Sequence, residues 1–256
     1  MVIERIRRYL DEEKFVARTT EEIRREIREL RGAKFAAELF HFLIMSSPGE
    51  EFYERLARPV DGMAAYDYLA SRQRTLIEKR LEFVCADGVF NGGGRILDMG
   101  CASGLDACFI AEQFPQTNVV GIDLSQGMIE RAKERAKRRG IKNVEFCAAN
   151  QYALPFADDS FDLTLPHSLA DDYQGIRDMV GRLSEVKRVL HKAGKVIISM
   201  ESDIGDDPSK VEKYYESAEF EQPFRMKGFG NITHKYIFTK NSDGVDFIED
   251  IITATK

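Results

Sequence analysis

At 256 residues the chain is long enough for one α/β domain with a helical appendage. A formal net charge of −6 supplies no broad positive field for a phosphate backbone, so nucleic acid is not expected as the main partner. The four cysteines, Cys85, Cys101, Cys108 and Cys147, form no CxxC pair, so neither a zinc site nor a disulfide scaffold is expected and a cytoplasmic setting fits best.

The opening Met1 to Arg8 mixes both charge signs with apolar residues, unlike a signal peptide. The most apolar run, Phe35 to Met45, is too short to span a bilayer and carries Glu38 and His41, so no membrane association is expected. It could equally serve as an interface helix in a homodimer. Residues 1–90 read as a helical extension and residues 91–256 as the main domain. In the extension, Thr19-Thr20-Glu21-Glu22 fits a capping box, followed by Ile23, Ile27 and Leu30 on one helical face. Ser47-Pro48-Gly49-Glu50 repeats the start signal, and a break at Pro59 to Gly62 precedes a longer helix carrying Tyr66, Leu69, Leu76, Ile77, Leu81 and Val84.

From Asn91-Gly92-Gly93-Gly94 onward, short apolar runs alternate with helical stretches, the rhythm of a doubly wound, mostly parallel sheet. The spacing predicts strands at Arg95 to Asp98, Asn118 to Asp123, Val144 to Ala148, Asp162 to Leu165 and Lys195 to Met200. Helices are predicted between them at Leu105 to Gln113, Gln126 to Arg139 and Gly175 to Leu190. After a polar stretch from Glu201 to Lys210 come a short helix and two further strand candidates, Phe224 to Gly228 and Tyr236 to Thr239.

The informative segment is Arg95-Ile96-Leu97-Asp98-Met99-Gly100-Cys101-Ala102-Ser103-Gly104, an acid at a strand end followed by small residues before a helix. Such a turn lets the backbone approach a ligand closely at the carboxyl ends of the strands. A second acid, Asp123, ends the next strand, where a carboxylate can accept two hydrogen bonds from a ribose diol. These residues resemble the class I S-adenosylmethionine-dependent methyltransferases, especially their small-molecule branch. Gly100 and Gly104 match the glycine turn, Asp98 the first-strand acid and Asp123 the ribose-binding acid. Leu124-Ser125-Gln126-Gly127-Met128 is similar to the segment that flanks the adenine, and Asn143 to Asn150 to the third strand. Leu154-Pro155-Phe156 with Ser160-Phe161-Asp162 and Glu185 to Leu190 match two further family blocks. Two departures stand out: Ala102 replaces the middle glycine, and Asn150 replaces an aspartate.

The resemblance implies a Rossmann-like methyltransferase fold and S-adenosyl-L-methionine as methyl donor to a small-molecule acceptor. It implies cofactor contacts from Asp98, Gly100, Cys101, Ala102, Gly104, Asp123, Leu124, Met128, Asn150, Gln151 and Leu165. No metal is expected, because the sulfonium already carries an activated methyl group; His41, His191 and His234 are isolated. His167, in Leu165-Pro166-His167-Ser168 after the fourth strand, is a candidate general base. Its neighbours Asp171, Asp172 and Tyr173 read as solvated loop or cap, and Cys101 and Cys147 as inert thiols. Tyr66, Arg72 and Arg74 are candidates for the methionine carboxylate as well as for packing. Two alternatives remain open: a non-catalytic S-adenosylmethionine sensor or partner subunit, and a nicotinamide-dependent oxidoreductase, which the lack of GxGxxG spacing disfavours.

Overall fold

The computed structural model describes residues 2–13, 25, 29, 54, 57, 59–60, 63–64, 67, 74–86, 90, 92–167, 173–203, 221–240 and 246–256. The capping signals at Thr19 and Ser47, the Phe35 to Met45 helix, Tyr66, Arg72, Asp171 and Asp172 lie outside the described residues. In chain order the elements are α1 (Val2–Glu12), β1 (Pro59–Val60), β2 (Met63–Ala64), α2 (Arg74–Val84), β3 (Arg95–Met99), α3 (Leu105–Gln113), β4 (Asn118–Asp123) and α4 (Gln126–Arg139). There follow β5 (Val144–Ala148), β6 (Phe161–Pro166), α5 (Tyr173–Val189), β7 (Leu190–Asp203), α6 (Glu221–Met226), β8 (Gly230–Lys240) and β9 (Asp246–Thr255).

Among the described residues, seven strands form one sheet in the order β5-β4-β3-β6-β7-β9-β8, with the first five parallel and β9 antiparallel to both its neighbours. The reversal of order between β3 and β6 opens the crevice at the carboxyl edge where α/β sheets bind ligands. The inner parallel strands β3, β4 and β6 read as largely apolar runs because both faces are covered. Ile96, Val119, Leu163, Leu165, Ile197 and Ile251 share one core with side chains of α1, α2, α3 and α4. Leu97, Met99, Val120, Ile122, Val196, Ile198 and Ile252 share the other with Leu183 and Val186 of α5 and Phe224 of α6. The described part of the N-terminal region therefore shares its core with the sheet.

Helix boundaries follow their caps. Ser125 begins α4 by accepting a 3.1 Å hydrogen bond from the Met128 amide, and Gly140 ends it in the left-handed conformation. Three expectations need correction. The Phe224 to Gly228 strand candidate is instead helix α6 with its closing turn. Glu221 and Pro223 fall in its first turn, where an acid is favoured and a missing N–H costs nothing. The polar stretch after Met200 does not break at once: Glu201 to Asp203 extend β7 and pair with Glu249 to Phe247 of β9. Strand β9 itself was not anticipated, because Glu249 and Asp250 interrupt its apolar pattern. In the extension, the break expected at Pro59 to Gly62 is a two-residue antiparallel pair, β1 with β2.

Candidate active site

Strands β3 and β4 lie in register, Met99 opposite Ile122, and the chain leaving β3 turns back onto its neighbour. The amides of Gly100 and Cys101 both donate to the Ile122 carbonyl, at 2.8 and 2.9 Å. Gly100, Ala102 and Gly104 then all take positive φ, at 79°, 46° and 75°. At Gly104 the need for glycine is doubled, since a Cβ would sit 2.8 Å from Ala132 Cβ and 2.9 Å from the Phe146 ring. The alanine that departs from the family pattern therefore occupies a conformation costing about 1 kcal/mol for an L side chain.

Asp123 compensates. Its Oδ2 accepts from the Ala102 amide at 2.9 Å and its Oδ1 from the Ser125 amide at 3.0 Å, so one carboxylate staples the turn after β3 to the turn after β4. Partial burial raises its proton affinity, while the Ser125 and Ala102 amides work against that rise. The Leu124 amide also acts on this carboxylate, which still has acceptor capacity to spare. Leu124 beside it is 47% exposed, and Tyr152, after β5, is 50% exposed. These are large apolar side chains left in water at the same sheet edge. Asn150 is exposed, and its Oδ1 accepts from the Tyr152 amide at 2.9 Å. Gln151 reaches towards the glycine turn, its Nε2 lying 3.2 Å from where a Gly100 Cβ would stand.

Other expected contact residues are buried. Asp98 has no exposed surface, and Met128, Leu165 and Cys101 are buried as well. Burial pushes the Cys101 thiol well above its usual range and the Cys108 thiol up to about 12, which keeps both inert. Asp98 faces His167, whose Nε2 lies 3.1 Å from Asp98 Oδ1 and 3.8 Å from Asp106 Oδ2. Arg80 of α2 pairs with the same Asp106 oxygen at 2.9 Å. Complete burial raises the Asp98 carboxyl, only partly countered by His167. Burial, the largest single influence, would lower the His167 imidazole, but the charge and close contact of Asp98 together with Asp106 outweigh it and hold the ring protonated to higher pH. Arg80 and Asp106 were missed by sequence reasoning, and no local motif marks them. Arg74, a sequence candidate for the methionine carboxylate, pairs with Asp11 and Glu78.

Among the described residues no group of His, Cys, Asp or Glu side chains is arranged to hold a metal ion. No helix among them is long and apolar enough to cross a membrane.

A methyltransferase-domain family profile matches residues 90–250. The chain belongs to the class I S-adenosylmethionine-dependent methyltransferases. Within this family it is 31% identical over 158 residues to a ubiquinone/menaquinone biosynthesis C-methyltransferase of Desulfotalea psychrophila, covering 61% of the chain and 59% of that relative. It is 29% identical over 181 residues to a malonyl-acyl-carrier-protein O-methyltransferase of Geobacter sulfurreducens, covering 70% and 62%. The chain thus spans less than two thirds of either relative's length. Among solved structures, the methyltransferase fold matches a Haemonchus contortus phosphoethanolamine N-methyltransferase with a TM-score of 0.59 at 20% identity, over 83% of the chain and 60% of that protein. The cyclase SpnF shares the fold with a TM-score of 0.53 at 19% identity, over 74% and 82%.

Proposed function

We propose that this methyltransferase-family chain binds S-adenosyl-L-methionine across the turns after β3 and β4 and passes its methyl group to a small molecule. The observation that carries the proposal is the Asp123 staple beneath three left-handed residues. It fixes a carboxylate with spare acceptor capacity beside a turn whose small residues let a ligand approach the backbone closely. Asp123 would hold the ribose hydroxyls, and Leu124 would cover one face of the adenine, which accounts for its exposure. Gly100, Ala102 and Gly104 would face the rest of the donor through their backbones, with Asn150 and Gln151 at the adenine edge. Cys101, Met128, Leu165 and Asp98 would support this surface from beneath, since their side chains are buried.

The bound donor supplies an activated methyl group on a sulfonium and a neutral thioether leaving group. The protein's part is to align acceptor, methyl and sulfur and to keep water out. His167, at the end of β6 with 18% of its side chain exposed, stands on the acceptor side. Because Asp98 favours its protonated form, it takes an acceptor's proton only above that raised value, so any turnover that depends on it climbs with pH. The proposed setting is cytoplasmic, with a homodimer as the assembly to test.

Incubation with S-adenosylmethionine and a library of small acceptors, followed by mass, tests the proposal. The expected result is a product heavier by one methyl group together with S-adenosylhomocysteine. Tight donor binding with no methylated product from any acceptor class would favour a second reading, a non-transferring S-adenosylmethionine protein. The likeness to a cyclase, which shows that the fold does not dictate methyl transfer, keeps that reading in play.

A further inference from the structure

The glycine turn is held from a direction that the family motif does not explain. Ser103, in the middle of that turn, is 1% exposed. Its hydroxyl donates to Asp67 Oδ1 at 2.5 Å, and its carbonyl accepts from Arg135 Nη1. Arg135 Nη2 meets Asp67 Oδ2 at 3.1 Å, closing a three-residue ring. The hydroxyl and carbonyl of one turn residue are thus met by a carboxylate from the N-terminal segment and a guanidinium from α4.

Arg135 retains only 6% of its side-chain exposure, and its Nε is occupied by Glu13, just beyond α1, at 2.9 Å. A buried cation is tolerable here because two carboxylates and a carbonyl surround it. Burial would raise the Glu13 carboxyl, but Arg135 and Arg138 hold it below its ordinary range. The contact repeats along the helix. Glu54 accepts from the Gly127 amide at 3.1 and 3.2 Å, the Ala57 carbonyl accepts from Arg131 Nε at 3.1 Å, and Asp67 meets Arg135. Gly127, Arg131 and Arg135 are spaced four apart and share one face of α4, so the N-terminal segment is strapped to the helix that starts at the Asp123 turn.

We infer that Asp67 and Arg135 are positioning residues for the donor site, and that the N-terminal segment sets the site's affinity by fixing Ser103. The inference rests on the donor-binding reading above. With the Ser103 anchors in place, the turn around Ala102 is held in its binding conformation without further ordering; without them, binding must first order the turn, and affinity falls.

The test compares unaltered full-length protein with Ser103→Ala, Asp67→Asn, the Ser103→Ala/Asp67→Asn double variant and Lys79→Gln, whose exposed ion pair with Glu82 lies outside the cluster. S-adenosylhomocysteine affinity is measured by calorimetry well below each melting temperature, and amide hydrogen exchange of the turn is followed without ligand. Each single variant is expected to weaken binding about tenfold, the loss of one hydrogen bond to a charged group. The double variant should weaken binding by less than the two single variants combined, because the Ser103–Asp67 contact is common to both, and exchange in the turn should quicken in all three. Lys79→Gln should change neither readout. Ser103→Ala leaves the ion cluster whole, so it reports on positioning even if Asp67→Asn folds poorly. Affinity within about twofold of the unaltered protein in folded Ser103→Ala, with unchanged exchange, overturns the inference. Unaltered protein that binds no S-adenosylhomocysteine, while the variants still quicken exchange in the turn, overturns the donor reading and leaves the anchoring in place.

Discussion

Replacing Asp123 by alanine removes the acceptor for two amides and, on the present account, for a ribose diol. The Ala102 and Ser125 amides lie 2.9 and 3.0 Å from its oxygens. Hydrogen bonds to a charged group contribute about 1.5–3 kcal/mol each, but the carboxylate is only partly exposed by its neighbours and water can replace it, so stability should fall by about 2 kcal/mol in total. Two ribose hydroxyls lost at about 1.5 kcal/mol each amount to about 3 kcal/mol, a weakening of roughly a hundredfold in Kd. Asp123→Asn keeps one acceptor and should lose about tenfold. Titration calorimetry with S-adenosylhomocysteine, paired with thermal unfolding, reads the two effects separately. A folded Asp123→Ala protein whose Kd stays within about threefold of the unaltered chain would refute the ribose placement.

Gly104→Ala should destabilise the fold by about 1–3 kcal/mol, because the new methyl meets Ala132 and Phe146 at a left-handed residue; thermal unfolding checks this, and an unchanged melting temperature would contradict the crowding. The Asp98–His167 pair makes stability depend on pH. His167 has a raised proton affinity in the folded state, so its contribution is complete below about pH 6.5 and is lost as pH rises through the raised value. Asp98, also raised, acts in the same direction, whereas the lowered Glu13 acts only in the acid range. Unfolding free energy should therefore decline from slightly acid to alkaline pH, and His167→Gln should flatten that slope; equal slopes in the two proteins would show that the pair is not coupled to folding. Turnover in the unaltered protein should rise over the same range, and a His167→Gln enzyme with the same pH profile would remove His167 as the base.

The parallel half of the sheet was legible because strands covered on both faces must be apolar throughout, as Ile96-Leu97 and Val119-Val120 are, and because Ser125 and Gly140 punctuate α4. Asp123 and the glycine turn were legible through their local spacing. The antiparallel half was less so, since Glu249 and Asp250 interrupt the apolar pattern of β9, and the segment after Pro223 continues a helix rather than forming the expected strand. The buried polar clusters were not legible at all. Ser103, Asp67, Arg135 and Glu13 are brought together across separations of up to 122 positions, and His167 meets Asp98 across the β3–β6 pairing. Such contacts depend on which elements the sheet order makes neighbours.

The central claim is that the crevice after β3 and β4 is an S-adenosylmethionine site. The most direct test is a calorimetric titration of the purified protein with S-adenosylhomocysteine, S-adenosylmethionine and NADH in parallel, after checking for ligand carried through purification. The account predicts saturable binding of both adenosyl ligands, weakened by Asp123→Ala, and none of NADH. Binding of NADH alone, or of neither class by a folded and ligand-free protein, would contradict it.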